Sequence, residues 1–249
     1  MPAEPWRTGT VIRIEDETYN TKRFFVRVDE LETFNFKAGQ FVTLDLPIHE
    51  KPNKRWRSYS IASWPDNTNV FELLIVLLEG GAGTNYLFSQ VTEGSKLTFR
   101  GAQGVFTLPE TIDKDLFFIC TGTGIAPFRS MLHYILEHNL PHQNLYLMFG
   151  CRTQKDLLYY NELRELEQQI PNLTYMPTLS REQWEGYRGY VHALYEDICR
   201  KSKEGIDPEG QAKPANFYLC GWKAMIDEAR KRIVELGYDK KSIHLELYG

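Results

Sequence analysis

Leu116-Phe117-Phe118-Ile119-Cys120-Thr121-Gly122-Thr123-Gly124-Ile125-Ala126-Pro127 is an apolar run that stops at a glycine–threonine turn and then opens a helix-like stretch. Five apolar residues in a row, without alternation, suit a strand covered on both faces, as parallel sheets require. The pattern repeats downstream in strands at 145–149, 173–179, 217–220 and 243–248. Helical stretches run to 137, over 159–169, near 191–201 and over 222–236, and 204–214 reads as a loop. Strands alternating with helices predict a five-stranded parallel α/β sheet. Ligands of such sheets sit at the carboxyl ends of the strands. Those ends carry Thr121–Gly124, Gly150-Cys151-Arg152, Ser180-Arg181, Cys220-Gly221 and Glu246-Leu247-Tyr248, a polar, glycine-rich and cationic set.

Upstream the character differs. Short β-segments at 10–14, 23–28, 40–46, 56–62, 70–77 and 96–100 are rich in Val, Ile, Phe, Thr and Tyr. Turn signals such as Ala38-Gly39, Pro65-Asp66-Asn67, Gly80-Gly81 and Glu93-Gly94 separate them. This spacing predicts a small antiparallel β-barrel or sandwich. A helix over 84–91 interrupts it, with Thr84 as its cap. The expected domains are therefore residues 1–110, antiparallel β, and 111–249, parallel α/β.

Composition narrows the function. The chain has 249 residues, 42% hydrophobic and 25% charged, as in globular proteins that bury a core. A net charge of −4 argues against general nucleic-acid binding. No apolar run approaches the roughly 18 residues of a membrane helix. The first residues, Met1 to Arg7, lack the basic and apolar regions of a signal peptide, so a cytoplasmic protein is expected. The four cysteines form no Cys-x-x-Cys pair and no His-Glu-x-x-His occurs. Redox work would then need an organic cofactor rather than a metal. A Gly-x-Ser-x-Gly elbow and a Walker lysine are also missing.

Three stretches carry chemistry. In Arg57-Ser58-Tyr59-Ser60-Ile61-Ala62-Ser63, strand alternation puts Arg57 and Tyr59 on one face, Ser58 and Ser60 on the other. A guanidinium beside a ring can clamp a phosphate while the ring lies against a flat ligand, although an ordinary surface strand has the same composition. Thr121–Pro127 places glycines and a helix N-terminus where backbone N–H groups can approach a pyrophosphate, with Pro127 suited to the first turn. Gly80-Gly81-Ala82-Gly83-Thr84-Asn85 is either a second phosphate loop or a hairpin turn. Ser180-Arg181, with Arg188 and Tyr190, offers a hydroxyl, cations and a stacking ring for a ribose 2′-phosphate, or forms a solvated surface.

In this order, the stretches resemble the ferredoxin–NADP⁺ reductase superfamily over nearly the whole chain. Arg57-Ser58-Tyr59-Ser60 is similar to its Arg-x-Tyr-Ser flavin motif. The resemblance implies that Arg57 holds the FAD pyrophosphate, Tyr59 packs along the flavin and Ser60 contacts the ring near N5. Gly83-Thr84 resembles the family's pyrophosphate loop. Gly122–Pro127, with Thr123 and Gly124, resembles its nicotinamide-nucleotide motif, and Cys220-Gly221 its Cys-Gly. Ser180-Arg181-Glu182 with Arg188 and Tyr190 resembles a 2′-phosphate site in which a lysine is usual at 188. Cys151 and Arg152 join the expected nucleotide contacts. Glu246-Leu247-Tyr248 resembles the C-terminal Glu-x-Tyr, whose Tyr stacks on the flavin; here Gly249 follows it.

The implied activity is FAD-dependent electron transfer between NADP(H) and a small one-electron carrier, ferredoxin or flavodoxin. Ser60, Cys220, Glu246 and Tyr248 are its expected catalytic residues, with a proton route from Glu246 through Ser60 to N5. The basic segment Lys51, Lys54, Arg55 and Arg57 would attract an acidic carrier. An NAD(P)H-dependent reductase component of an oxygenase, and a nucleotide-binding regulatory subunit without turnover, are the alternatives.

Overall fold

A computed structural model describes residues 4–204 and 213–248, with only the backbone of Lys203, Glu204 and Tyr248. The expected loop at 204–214 falls largely on 205–212, outside the described residues, as do Gly249 and the Tyr248 side chain. The chain forms two compact units. One runs to Leu108 and takes in Ala126–Tyr134; the other comprises Pro109–Ile125 and continues from Ile135.

The first unit is a six-stranded antiparallel sheet of β1 (Trp6–Thr18), β2 (Thr21–Val28), β3 (Phe41–Asp45), β4 (Trp56–Ser60), β5 (Val70–Val76) and β6 (Lys96–Gln103). Their spatial order is β4-β3-β6-β1-β2-β5. The two edges meet at a bridge between Ile61 and Leu73, and the Ala62 N–H donates to the Glu72 carbonyl at 2.8 Å. The sheet is thereby closed into a barrel, which removes its edges. Alternate residues point inward: Val26, Val42, Leu44, Phe71, Leu73 and Phe99 are fully buried. Each such side chain contributes about 1.5–3 kcal/mol by leaving water. Helix α1 (Ala82–Gln90) adds Leu87 to this core. It starts two residues before the expected position, with Gly81 as its N-cap. Thr84 is therefore a first-turn residue and not the cap, because its hydroxyl is engaged by the Leu78 and Gly81 backbone.

The second unit is a parallel sheet of β7 (Asp115–Thr121), β8 (Leu145–Cys151), β9 (Leu173–Leu179), β10 (Tyr187–Arg188), β11 (Ala215–Trp222) and β12 (Ile243–Tyr248). Its order is β10-β9-β8-β7-β11-β12. Six strands replace the expected five. The addition, β10, is two exposed residues paired with Thr178 and Leu179, too short and polar to leave an apolar signature. The helices of this unit are α3 (Tyr160–Gln169), α4 (His192–Glu204) and α5 (Lys223–Glu235), while α2 (Ala126–Glu137) belongs up to Tyr134 to the first unit. From β7 the chain builds outward through β8 and β9 to β10, then returns to β7's other side as β11. In sheets with such a reversal, ligands bind at the carboxyl ends of the strands beside it, here β7 and β11.

A polar network ties α4 to α5. The Arg232 guanidinium donates to Glu196 at 2.7 Å and to Glu228 at 2.6 Å. His192 lies 2.9 Å from the Tyr195 hydroxyl and 3.4 Å from Glu228. Burial pushes the His192 pKa below its ordinary 6.5, outweighing the pull of Glu228. The unfolded chain thus takes up this proton at a higher pH than the folded one. Stability is fully present above 6.5 and is expected to fall as pH drops below it. Urea midpoints at pH 7 and pH 5 measure this fall, and His192→Leu should reduce it; an equal fall in both proteins excludes the histidine as a source.

Candidate functional site

In the first unit the flavin-like motif forms β4, paired with β3 so that Arg57 lies opposite Leu44, Tyr59 opposite Val42 and Ser58 opposite Thr43. Arg57 and Tyr59 therefore share the inward face, which Ile61 continues into the core. Tyr59 is half-buried against that core, and desolvation raises its hydroxyl pKa to about 12 despite the nearby Arg57 charge. It is a neutral phenol, able to donate a hydrogen bond, throughout the ordinary pH range. Ser58 faces outward and is 3.0 Å from the Thr43 hydroxyl, away from Arg57 and Tyr59. Ser60, on the same outward register, is 4% exposed.

Arg57 lies across the start of α1. A Cβ on Gly83 would sit 3.0 Å from Arg57 Cγ and 3.3 Å from Nε, so a side chain at 83 would fill the space that the arginine stem occupies. Arg57 also donates to the Lys54 and Trp56 carbonyls at 3.1 and 2.7 Å. No side chain caps α1, and its first-turn N–H groups add partial positive charge beside the guanidinium. This cradle fits a diphosphate. Thr84 shapes it from within: its hydroxyl accepts from Leu78 N–H at 3.1 Å and lies 3.2 Å from the Gly81 carbonyl.

In the second unit the Gly122–Ile125 turn leads from β7 into α2, whose second residue is Pro127. A Cβ on Gly124 would overlap the Cys220 carbonyl group. Gly221 has φ +148°, and a Cβ there would lie 2.5 Å from Thr121 Oγ1. The ends of β7 and β11 are thus as close as bare backbone allows. Thr121 Oγ1 is buried without a hydrogen-bond partner among the described residues, so a ligand's amide or hydroxyl could satisfy it. Thr121 was absent from the expected contact set, although it closes the apolar run that identifies β7. These strand ends suit a nicotinamide nucleotide.

Cys220 is fully buried and in register with Cys120 on β7 and Glu246 on β12. Two residues earlier, Tyr218 and His244 stack at 4.5 Å between centroids. Since register partners share a face, Cys220 and Glu246 sit one layer above that pair. Thr123 lies in the glycine turn. Burial raises the Cys151 pKa to about 12, so it is a thiol rather than a thiolate.

The remaining expected contacts gather at the ends of β8, β9 and β10. Arg181 N–H donates to the Arg152 carbonyl at 2.9 Å, and Ser180 N–H to the Cys151 carbonyl at 3.0 Å. The Ser180 hydroxyl also donates to that carbonyl, at 3.2 Å. Arg188 is held by the Trp184 carbonyl at 3.0 and 2.8 Å through Nε and a terminal nitrogen. Arg152 and Arg181 are exposed, with no side-chain partner among the described residues. Tyr190 is 75% exposed, a ring open to stacking. Glu182 accepts from Gln154 N–H at 2.7 Å, fastening the segment after β9 to that after β8.

The family described as "Oxidoreductase FAD-binding domain" matches residues 8–108, and "Oxidoreductase NAD-binding domain" matches 118–231. Ferredoxin–NADP reductase B of Sorangium cellulosum is 35% identical over 251 residues, covering 100% of this chain and 99% of that protein. The phenol hydroxylase P5 protein of Acinetobacter pittii is 30% identical; the alignment covers 96% of this chain but 65% of that longer protein. Among solved structures, the Amycolatopsis cytochrome P450 reductase GcoB aligns with a TM-score of 0.84 at 27% identity, over 98% of this chain and 70% of that one. The order of barrel and parallel sheet, the two glycine cradles and the full-length relative together make the chain a member of the ferredoxin–NADP⁺ reductase-like superfamily of flavoprotein oxidoreductases.

Proposed function

We propose that this flavoprotein oxidises NADPH, or forms it, and exchanges the electrons singly with a small ferredoxin- or flavodoxin-like carrier. The observation that carries the coenzyme choice is the trio Arg152, Arg181 and Arg188 at three adjacent strand ends, two of them without side-chain partners among the described residues. Guanidinium groups so placed suit a 2′-phosphate, whereas a ribose 2′-hydroxyl is normally met by a carboxylate. Glu182, the nearest candidate, is already engaged by Gln154.

Bound FAD supplies the conversion between a hydride and single electrons. Arg57 and the start of α1, with Gly83 and Thr84, hold its diphosphate; Tyr59 lies along the flavin and Ser60 meets its ring. Ser58 is the least favoured of the expected contacts, since it is exposed and its hydroxyl is engaged with Thr43, whereas Ser60 is buried. Thr121, Thr123, Gly124 and Pro127 receive the nicotinamide nucleotide, and Cys151, Ser180 and Tyr190 line its adenosine end. Cys220 and Glu246 orient the nicotinamide, and Glu246 is the proton-carrying carboxylate of the second unit. Tyr248 is assigned the covering of the flavin.

Lys51 and Lys54 are exposed near the flavin motif and would attract an acidic carrier, while Arg55 is already paired with Asp45 at 2.7 Å. The likeness to the phenol hydroxylase P5 protein and to GcoB favours a second reading, delivery to an oxygenase component. Comparing turnover with an acidic ferredoxin, a flavodoxin and an oxygenase component separates the two.

The first test is anaerobic titration of the yellow protein with NADPH and NADH. Preferential bleaching by NADPH is expected, and Arg181→Ala and Arg188→Ala, made singly, should each raise the NADPH KM roughly 10- to 100-fold, from a charged hydrogen bond of about 1.5–3 kcal/mol. NADH kinetics should be unaffected; an equal loss with both coenzymes would remove the 2′-phosphate assignment.

A further inference from the structure

The segment that follows Ser60 is held by a buried ion pair. Glu72, 2% exposed, accepts from Arg23 at 2.7 and 3.1 Å. It also accepts from Arg129, 4% exposed, at 3.1 Å. The same Arg129 nitrogen donates to the Ala62 carbonyl at 2.8 Å. From the other side, the Glu72 backbone carbonyl accepts from Ala62 N–H, and Glu72 N–H donates to Ser63 Oγ at 3.0 Å. Both polar groups of the Ala62 backbone are thus fixed by one residue and its cationic partner. The next side chain is fixed too. The Trp64 ring stacks on His133 at 3.7 Å, and the Arg129 guanidinium lies 5.3 Å from its centroid. Arg129 and His133 are four residues apart on α2, on one helical face.

A buried charge pair is a poor device for stability alone, since apolar residues of similar volume often serve as well or better. A guanidinium does what an apolar group cannot: it joins a carboxylate and a backbone carbonyl at fixed angles. We propose that Arg129, held by Glu72, is a positioning residue that sets the path of Ser60–Trp64 and thereby the placement of the Ser60 hydroxyl against the flavin. This inference rests on the reading of Ser60 as a flavin contact.

The test compares wild-type and Arg129→Lys holoprotein. Lysine keeps the charge opposite Glu72, but its ammonium sits on a freely rotating stem and cannot fix the two N–H directions that one planar guanidinium nitrogen of Arg129 aims at Glu72 and Ala62. FAD should remain bound and the NADPH KM unchanged. The visible circular dichroism of the flavin and its midpoint potential should shift, and reduction by NADPH should slow about 10-fold or more, since a displacement near 1 Å can cost roughly 100-fold. A purely structural role would lower the unfolding temperature without moving the dichroism or potential of the folded protein. Trp64→Leu, which leaves the ion pair intact, should cause a smaller shift of the same sign and serves if Arg129→Lys fails to fold. Wild-type dichroism, potential and rate in a folded Arg129→Lys, or in Trp64→Leu if lysine is not tolerated, would overturn the inference while leaving the flavin site standing. A wild-type protein that takes up no FAD would instead overturn the reading on which it rests.

Discussion

Arg57→Ala is expected to fold and yet purify almost colourless, with FAD affinity lowered by roughly 100-fold or more. The estimate follows from two lost charge-assisted contacts of about 1.5–3 kcal/mol each. Arg57 crosses Gly83 at the uncapped start of α1, so its removal leaves the proposed diphosphate cradle with only the weak partial charge of a helix end. The barrel should lose little, because among the described residues the Arg57 guanidinium bonds only to the Lys54 and Trp56 carbonyls. Arg57→Lys should recover part of the affinity, as a point charge without the fork. Titrating deflavinated protein with FAD measures both variants. Full flavin occupancy in Arg57→Ala would move the diphosphate elsewhere.

Gly221→Ala should give the opposite phenotype: a yellow protein that NADPH hardly reduces. Its backbone, at φ +148°, is one that side-chain-bearing residues rarely adopt, and the added carbon would press on Thr121 Oγ1 and Met225. Relief requires the ends of β7 and β11 to separate, with a stability cost of about 1–3 kcal/mol. The proposed nucleotide site lies at those ends, so kcat/KM for NADPH should fall about 100-fold. Flavin content should stay near wild type because Gly221 belongs to the second unit. Gly124→Ala is expected to behave alike, by collision with the Cys220 carbonyl. Stopped-flow reduction with flavin quantified beforehand checks both; normal reduction in either would show that this tight approach is dispensable.

The two classes of strand were legible because burial writes different patterns. Strands covered on both faces, such as β7 and β8, are apolar runs, while the barrel strand β6 alternates. The glycine turns were legible because few residue types can stand where backbones approach or a helix opens. The strand order was not, since pairing is decided by contacts far apart in the chain. β10 escaped notice for want of any apolar residue beyond Tyr187. Glu72 and Arg129 were the less visible members of the candidate site. Glu72 interrupts an apolar strand, and Arg129 lies four residues after Ile125 on the buried stripe with Phe128 and Leu132. Each is a charge at a core position, but a sequence does not say which distant charge will answer it.

The first unit is not one continuous stretch of chain: Ala126–Tyr134 belongs to it, although Pro109–Ile125 belongs to the other. Arg129 supplies one of the cations facing Glu72, and Met131 packs beside Gly39. A fragment ending at Leu108 would therefore leave the Glu72 carboxylate short of a partner and Ala62 without its donor. During synthesis on the ribosome the barrel cannot reach its final state when its last strand emerges. It must wait for the further length of chain through Tyr134, which includes β7, so the first unit is completed only after the second has begun to emerge.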